Sequence, residues 1–246
     1  GLWVEPEMIS PDSDLYRAHP DWCIHVPNRD KSIARQQYVI DMSRKDVRDN
    51  IFQQMYDVLS RYKIDYVKWD YNRHISDAFG SQLVHQGEFF HRYILGLYEV
   101  LRRIFEPRPN VLLESCASGG NRFDLGMLCF GPQVWCSDNT DPIERLTIQG
   151  NLSYLYPQSV MGAHVSAAPH AQTLRHTPLN TRGNVAFFGC LGYELDLKHL
   201  AEVEVQEIRH QIELYKTYRR LFQFGSFRRM LRGKGNDIFI NANFHK

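Results

Sequence analysis

The chain has 246 residues, 43% of them apolar and 23% charged, with a formal net charge of +1. That length allows one large domain with a sizeable core. The balance of 29 basic against 28 acidic side chains gives no footprint for nucleic acid, and the longest apolar runs are too short to cross a bilayer. The 5 cysteines, Cys23, Cys116, Cys129, Cys136 and Cys190, are odd in number and contain no C-x-x-C pair, which argues against a disulfide framework or structural zinc and fits a reducing cytoplasm. Nothing at the start reads as a signal peptide, although a targeting segment further upstream would lie outside the sequence.

Short β-rich apolar runs alternate with helical patterns. Leu2-Trp3-Val4 reads as the first strand, closed by Glu5-Pro6-Glu7. After a loop and a short segment around Gln37 to Ile40, Ser43 to Asp46 reads as an N-cap and first turn. The helix that follows runs to about Tyr62, with Val47, Ile51, Met55 and Leu59 at helical spacing. Asp65 to Asp70 is the second strand, and a helix from Glu88 to about Phe105 ends before Pro107 and Pro109. Val111 to Ser115 is the third strand, followed by Gly119-Gly120 and a helical turn from Asp124 to Met127. Val134 to Asp138 is the fourth strand, and Asp141-Pro142 opens a helix to Leu155. Ser159 to Ala163 and Val185 to Gly189 read as the fifth and sixth strands, with an amphipathic helix from about Leu200 to Leu221. A polar linker, Arg232 to Asn236, then precedes Asp237-Ile-Phe-Ile240, which reads as the start of a different domain.

Strands and helices alternating at this spacing imply a parallel α/β fold. Carboxylates and other polar residues recur where strands end, which is where a (β/α) barrel builds its active site. A doubly wound dinucleotide fold is disfavoured, because no G-x-G-x-x-G is present. Six strands are read and a closed barrel needs eight. Either two are missing or the count is short.

Three strand ends carry chemistry. In Lys68-Trp-Asp70-Tyr-Asn-Arg73, residues 68 and 70 face the same side of a strand, so the ammonium can share a pocket with the carboxylate and favour its anion, as suits a nucleophile. A plain strand-end ion pair is the alternative. In Trp135-Cys-Ser-Asp138-Asn-Thr-Asp141, the last aspartate reads as a helix cap, whereas Asp138 has no such structural role. Partial burial between Trp135 and Asn139 would raise the pKa of Asp138 toward that of a proton donor. Two strand-end carboxylates are the minimum for glycoside hydrolysis, one to attack and one to protonate the leaving oxygen. The third strand end is Glu114-Ser-Cys-Ala-Ser-Gly119-Gly-Asn-Arg-Phe-Asp124, whose diglycine permits close approach of a ligand or simply a tight turn. His164, His170 and His176 read as loop histidines, since a spacing of six is not a metal-ligand spacing on one helix face. Asp12-Ser-Asp14 lacks the glycine and glutamate of a calcium loop, and the sequon at Asn151 falls in a helical stretch.

Together with Gly1-Leu-Trp-Val-Glu-Pro-Glu-Met-Ile-Ser-Pro-Asp-Ser-Asp-Leu-Tyr16, these motifs resemble glycoside hydrolase family 36, whose typical members are α-galactosidases, in order from residue 1 to at least Glu194. The resemblance implies a retaining α-galactosidase acting on raffinose- or melibiose-type α-galactosides, with Asp70 as nucleophile and Asp138 as general acid/base. It implies that Trp3, Arg35, Lys68, Cys116, Gly119 and Trp135 line the galactose subsite. It also implies a (β/α)8 TIM barrel that is incomplete, with strands three to eight at residues 1–231, the first two missing, and a linker and the start of a C-terminal β domain at 232–246. The aspartates that the family's second strand offers to the 4- and 6-hydroxyls have no counterpart here, and Pro169 to Thr173 lacks the family's usual asparagine. No metal and no cofactor is implied. The implied partner is an α-galactoside oligosaccharide, with no nucleic acid and no membrane, and the tetramers common in the family allow a homo-oligomeric parent. Two alternatives accompany this reading: an α-N-acetylgalactosaminidase or galactosyl-transferring relative, and an inactive truncated fragment that only binds sugar.

Overall fold

The computed structural model describes residues 1–229 and 241–244, and these divide into two compact units, Gly1–Pro132 and Gln133 onward.

The first unit opens with β1 (Leu2–Val4) and β2 (Met8–Ile9), followed by α1 (Asp14–Ala18), β3 (Tyr38–Val39), α2 (Lys45–Arg61), β4 (Tyr66–Trp69), α3 (Phe89–Phe105), β5 (Leu112–Ser115) and the single turn α4 (Leu125–Leu128). Strands β1, β4 and β5 form a parallel sheet with β4 in the middle, while β2 and β3 make a separate antiparallel ribbon. Helix α3 covers the sheet because Tyr93, Leu97, Val100, Leu101 and Ile104 recur at helical spacing, each at most 2% exposed. Each such side chain contributes about 1.5–3 kcal/mol on burial. Gly96 is required on this face, since a Cβ there would lie 2.0 Å from the Met42 carbonyl oxygen. Helix α2 starts at Lys45 without the expected Ser43 cap: the Ser43 hydroxyl donates to Asp41 Oδ1 at 2.6 Å, and Arg44 occupies the cap position with no capping side-chain bond.

The second unit runs β6 (Gln133–Trp135), α5 (Pro142–Leu152), β7 (Met161–Ser166), α6 (Leu179–Ala186), β8 (Cys190–Glu194) and α7 (Glu202–Phe224), then pairs β9 (Ser226–Arg229) with β10 (Asn241–Phe244) antiparallel. Strands β6, β7 and β8 are parallel, with β7 in the middle. Ala163, Val165 and Ala186 centre its core, flanked by Leu179, Leu191 and Tyr193. The expected sixth strand at Val185–Gly189 is displaced: Val185 and Ala186 are the last turn of α6, and the strand is Cys190–Glu194. A short apolar run reads equally well as a strand or as the buried face of a helix, whereas Cys-Leu-Gly-Tyr-Glu carries a weak strand signal. His164 likewise lies in β7 rather than a loop. The linker Arg232–Asn236 and the run Asp237–Ile240 lie outside the described residues.

The chain is thus a parallel α/β fold with three parallel strands in each unit, consistent with an incomplete (β/α) barrel. Among the described residues, no helix is long and apolar enough to cross a membrane.

Candidate active site

In the first unit the sheet ladder continues one residue past each strand. The Asp70 amide donates to the Val4 carbonyl at 2.8 Å and the Cys116 amide to the Trp69 carbonyl at 2.9 Å, which sets both side chains at the carboxyl ends of their strands. Asp70 is only 6% exposed. The Trp3 indole donates to its Oδ2 at 3.1 Å and the Tyr71 amide to its Oδ1 at 2.8 Å, while the Cys116 thiol and the Asn72 amide supply further bonds. Burial pushes this carboxyl up, but the bonds to its anion outweigh burial and hold it below the usual carboxylate range. Burial and the bond to Asp70 push the Cys116 thiol up to about 12, so it is a protonated donor at neutral pH. Asn72 is held on either side, its side-chain Oδ1 accepting from Ser118 Oγ at 3.1 Å and its backbone amide donating to Glu5 Oε1 at 3.1 Å. Gly119 sits at φ 86°, a conformation that favours glycine, and its carbonyl accepts from the Ala117 amide at 2.9 Å.

Lys68 forms an ion pair with Glu114 at 3.0 Å, because the register sets these two residues opposite each other on β4 and β5. Tyr66 also donates to Glu114. The low pKa of Asp70 therefore owes more to neutral donors than the sequence spacing suggests. Lys68 is still near enough for its charge to act on Cys116.

Arg35 projects from an exposed turn in which Arg35 and Gln36 have φ of 51° and 57°. Buried Arg73 holds this turn, donating to the Ala34 and Ser32 carbonyls at 3.2 Å each and to the Gln37 carbonyl. Glu5 ties the turn to the loop after β4, accepting from Gln37 Nε2 at 2.9 Å as well as from Asn72. Behind the sheet, fully buried Glu7 accepts from Trp69 Nε1 at 2.9 Å, Tyr93 Oη at 2.8 Å and Arg122 Nη1 at 2.8 Å.

In the second unit Trp135 ends β6, 4% exposed, and its indole donates to Asp138 Oδ1 at 2.9 Å. Asp138 itself is exposed, so the partial burial expected from the sequence is absent. The residues beside it, Trp135 and Asn139, turn toward other partners as well: the His164 ring lies 4.4 Å from the Trp135 ring, and Asn139 Oδ1 accepts from the Asp141 amide at 3.0 Å. Asp141 caps α5 as expected, its Oδ1 accepting from the Ile143 and Glu144 amides at 2.8 and 3.3 Å. Thr173 and Arg175 also bond to it, fastening the loop after β7. His170 is buried in that loop, its Nε2 3.0 Å from Thr140 Oγ1 and its Nδ1 accepting from the Gln172 and Thr173 amides at 3.3 Å. Those two amide donors place the ring proton on Nε2. Among the described residues, no group of three His, Cys, Asp or Glu side chains is placed to hold a metal ion, and none of the 5 cysteines forms a disulfide.

Residues 1–225 match the melibiase family. The chain belongs to that family. It is 52% identical over 249 aligned residues to the α-galactosidase AgaA of Geobacillus stearothermophilus, covering 99% of this chain and 34% of that protein. It is 50% identical over 248 residues to the α-galactosidase Mel36A of Lactobacillus acidophilus, again covering 99% of this chain and 34% of the other. A crystal structure of an AgaA variant in complex with raffinose superposes with a TM-score of 0.91 at 53% identity, over 94% of this chain and 32% of that one. The melibiase chain thus spans about a third of the length of these relatives.

Of the residues the sequence singles out, Trp3, Lys68, Asp70, Cys116 and Gly119 converge at the ends of β1, β4 and β5, and Trp135 meets Asp138 beyond β6. Arg35 makes no hydrogen bond or ion pair of its own among the described residues. Sequence reasoning missed the supports: Asn72, Glu5, Arg73 and Glu7 all stand in the family motifs without an assigned role. The one available signal was their polarity beside strand ends, where an apolar residue would serve packing equally well.

Proposed function

We propose that the chain forms strands three to eight of the catalytic (β/α)8 barrel of a retaining α-galactosidase, with residues 1–231 in the barrel and 232–246 leading to a C-terminal β domain. The reaction is hydrolysis of terminal α-galactosides of the raffinose type in a reducing, cytoplasmic setting. One observation carries this reading: Asp70 is a buried strand-end carboxylate kept ionised by Trp3, Tyr71, Asn72 and Cys116. A nucleophile needs that state.

An Asp70 oxygen attacks the anomeric carbon as the bond to the leaving oxygen breaks, and Asp138 gives that oxygen its proton. A water oxygen then attacks the same carbon, its proton passes to Asp138, and Asp70 departs as carboxylate. The exposure of Asp138 suits a group that exchanges protons with both leaving group and water. Lys68 and Arg35 hold sugar hydroxyls, the Trp3 and Trp135 rings cover the apolar sugar face, and Cys116 with Gly119 borders the 2-position. An N-acetylgalactosamine preference is tested by comparing the two aryl glycosides.

Substitution in the full-length protein tests the roles. Asp70→Ala abolishes turnover of every substrate. Asp138→Ala lowers kcat/KM on raffinose by about 10²–10⁴ and much less on an activated aryl α-galactoside, whose leaving group needs little protonation. Azide traps α-galactosyl azide with Asp138→Ala, by a second inversion at the β-galactosyl-enzyme, and β-galactosyl azide with Asp70→Ala, by a single inversion of the substrate. The opposite anomers would exchange the two roles, and a carboxyl separation near 8 Å in a crystal structure, in place of ~5–5.5 Å, would refute retention.

A further inference from the structure

Arg145 is among the largest fully buried side chains of the second unit, 2% exposed, and no function above uses it. It lies in the first turn of α5, its amide donating to the Asp141 carbonyl at 2.9 Å. A helical side chain leans back over the preceding turn, so the guanidinium returns to the loop that carries Asp138. There Nη2 donates to the Ser137 carbonyl at 2.6 Å and Nε to the Asn139 carbonyl at 2.8 Å, one on each side of Asp138. Nη1 donates to the Gly162 carbonyl on β7 at 2.9 Å, and Cys136 supplies a further side-chain bond. The same guanidinium lies 4.7 Å from the ring of Trp135, whose indole holds the Asp138 carboxylate.

We propose that Arg145 is a positioning residue for the acid/base step, fixing Asp138 at its backbone through the two flanking carbonyls and at its carboxylate through the stacked Trp135 ring. The inference rests on the reading of Asp138 as acid/base. Asp138 is exposed and, among the described residues, its side chain bonds to Trp135 alone, so its own packing does little to aim it. Only a planar fork can serve carbonyls that diverge from two segments, which is why lysine is no substitute. Filling the volume would need no charge.

The test uses the full-length protein, raffinose and an activated aryl α-galactoside. Arg145→Lys lowers kcat/KM about 100-fold on raffinose, the scale of a small misplacement of a catalytic group, and only a few-fold on the aryl substrate. Azide raises kcat on the aryl substrate and yields α-galactosyl azide, as for Asp138→Ala. In an Asp138→Ala background the same substitution changes neither substrate by more than about 3-fold, because its effect passes through the missing carboxylate. Arg145→Gln, which can still donate to one carbonyl, repeats the test if the lysine variant does not fold. Equal losses on both substrates, an undiminished loss in the Asp138→Ala background, or failure of every Arg145 variant to fold while Asp138→Ala folds would each overturn the proposal. If Asp138→Ala itself shows equal losses on both substrates, the acid/base reading fails instead.

Discussion

Glu7→Gln isolates the charge in the buried cluster behind β4. Oε1 of Glu7 accepts from both Trp69 and Arg122, so in the glutamine this position must remain oxygen. The amide nitrogen then takes the place of Oε2, facing the Tyr93 hydroxyl, which can turn and accept a bond in place of donating one. Every polar atom that Glu7 satisfies keeps a partner, and only the negative charge is lost. That leaves the Arg122 guanidinium, which is 12% exposed at its side chain and stacked 4.6 Å from the Tyr71 ring, without its carboxylate. Breaking such a pair from one side costs about 3 kcal/mol, the lower end of the range because Arg122 retains some contact with solvent. For a chain of this size that lowers the thermal midpoint by ~6–12 °C. Urea titration followed by tryptophan fluorescence should show the transition moving to lower denaturant with unchanged slope. Adding Arg122→Met to Glu7→Gln removes the stranded cation and should recover most of the loss. A single substitution costing under about 1 kcal/mol, or a double variant no more stable than the single, would refute the assignment of this energy to the ion pair.

Two further outcomes follow from the carboxylates whose pKa lies low in the fold. Trp3→Phe keeps the ring and removes the hydrogen bond to the Asp70 anion, so the Asp70 pKa rises and, in the full-length protein with the proposed activity, the acid limb of kcat/KM moves to higher pH; a limb that stays put or moves lower would contradict the role of the indole. Asp141 is pushed up by burial but held lower on balance by Thr173, the Ile143 and Glu144 amides and Arg175. Its contribution to stability is therefore complete above the unfolded value of about 3.9 and is lost as pH falls through its lower folded value. Asp141→Asn should flatten the acid side of a stability-against-pH curve while leaving α5 capped, because asparagine caps a helix about as well as aspartate. An unchanged acid slope would exclude Asp141 as a source of it.

Much of the fold is legible in the sequence, because strand ends in a parallel α/β chain are punctuated by carboxylates, glycines and helix caps. Asp141-Pro142 announces α5, and the Tyr93, Leu97 and Ile104 spacing announces α3. What escapes is register. The i, i+2 spacing of Lys68 and Asp70 is visible, but the ion pair of Lys68 runs across to Glu114, and no local pattern states which residue of the next strand lies opposite. The exposure of Asp138 and the return of Arg145 over its own helix turn depend on tertiary packing in the same way. The misplaced strand at Val185–Gly189 has a different cause, since an apolar run shorter than two helical turns has no measurable period.

The two strand-end aspartates also show how one chemical device is built from different sequence patterns. Trp69 stands immediately before Asp70, so alternation along β4 sends it to the opposite face, where it bonds to Glu7 and cannot reach the carboxylate beside it. The indole that Asp70 needs comes instead from Trp3 on the neighbouring strand, which the β1–β4 register sets opposite Lys68, two residues before Asp70. Trp135 precedes Asp138 by three residues, and the chain has left β6 before reaching the aspartate, so here the indole of the same segment does reach the carboxylate. In one case the partner is held by sheet register and in the other by a loop. A sheet ladder is stiff without help, whereas a loop needs a clamp, and Arg145 on the carbonyls of Ser137 and Asn139 supplies one. The difference suits the two roles proposed for Asp70 and Asp138. A nucleophile must keep one charge state and one position, while a group that gives and regains a proton needs access to solvent together with a fixed direction.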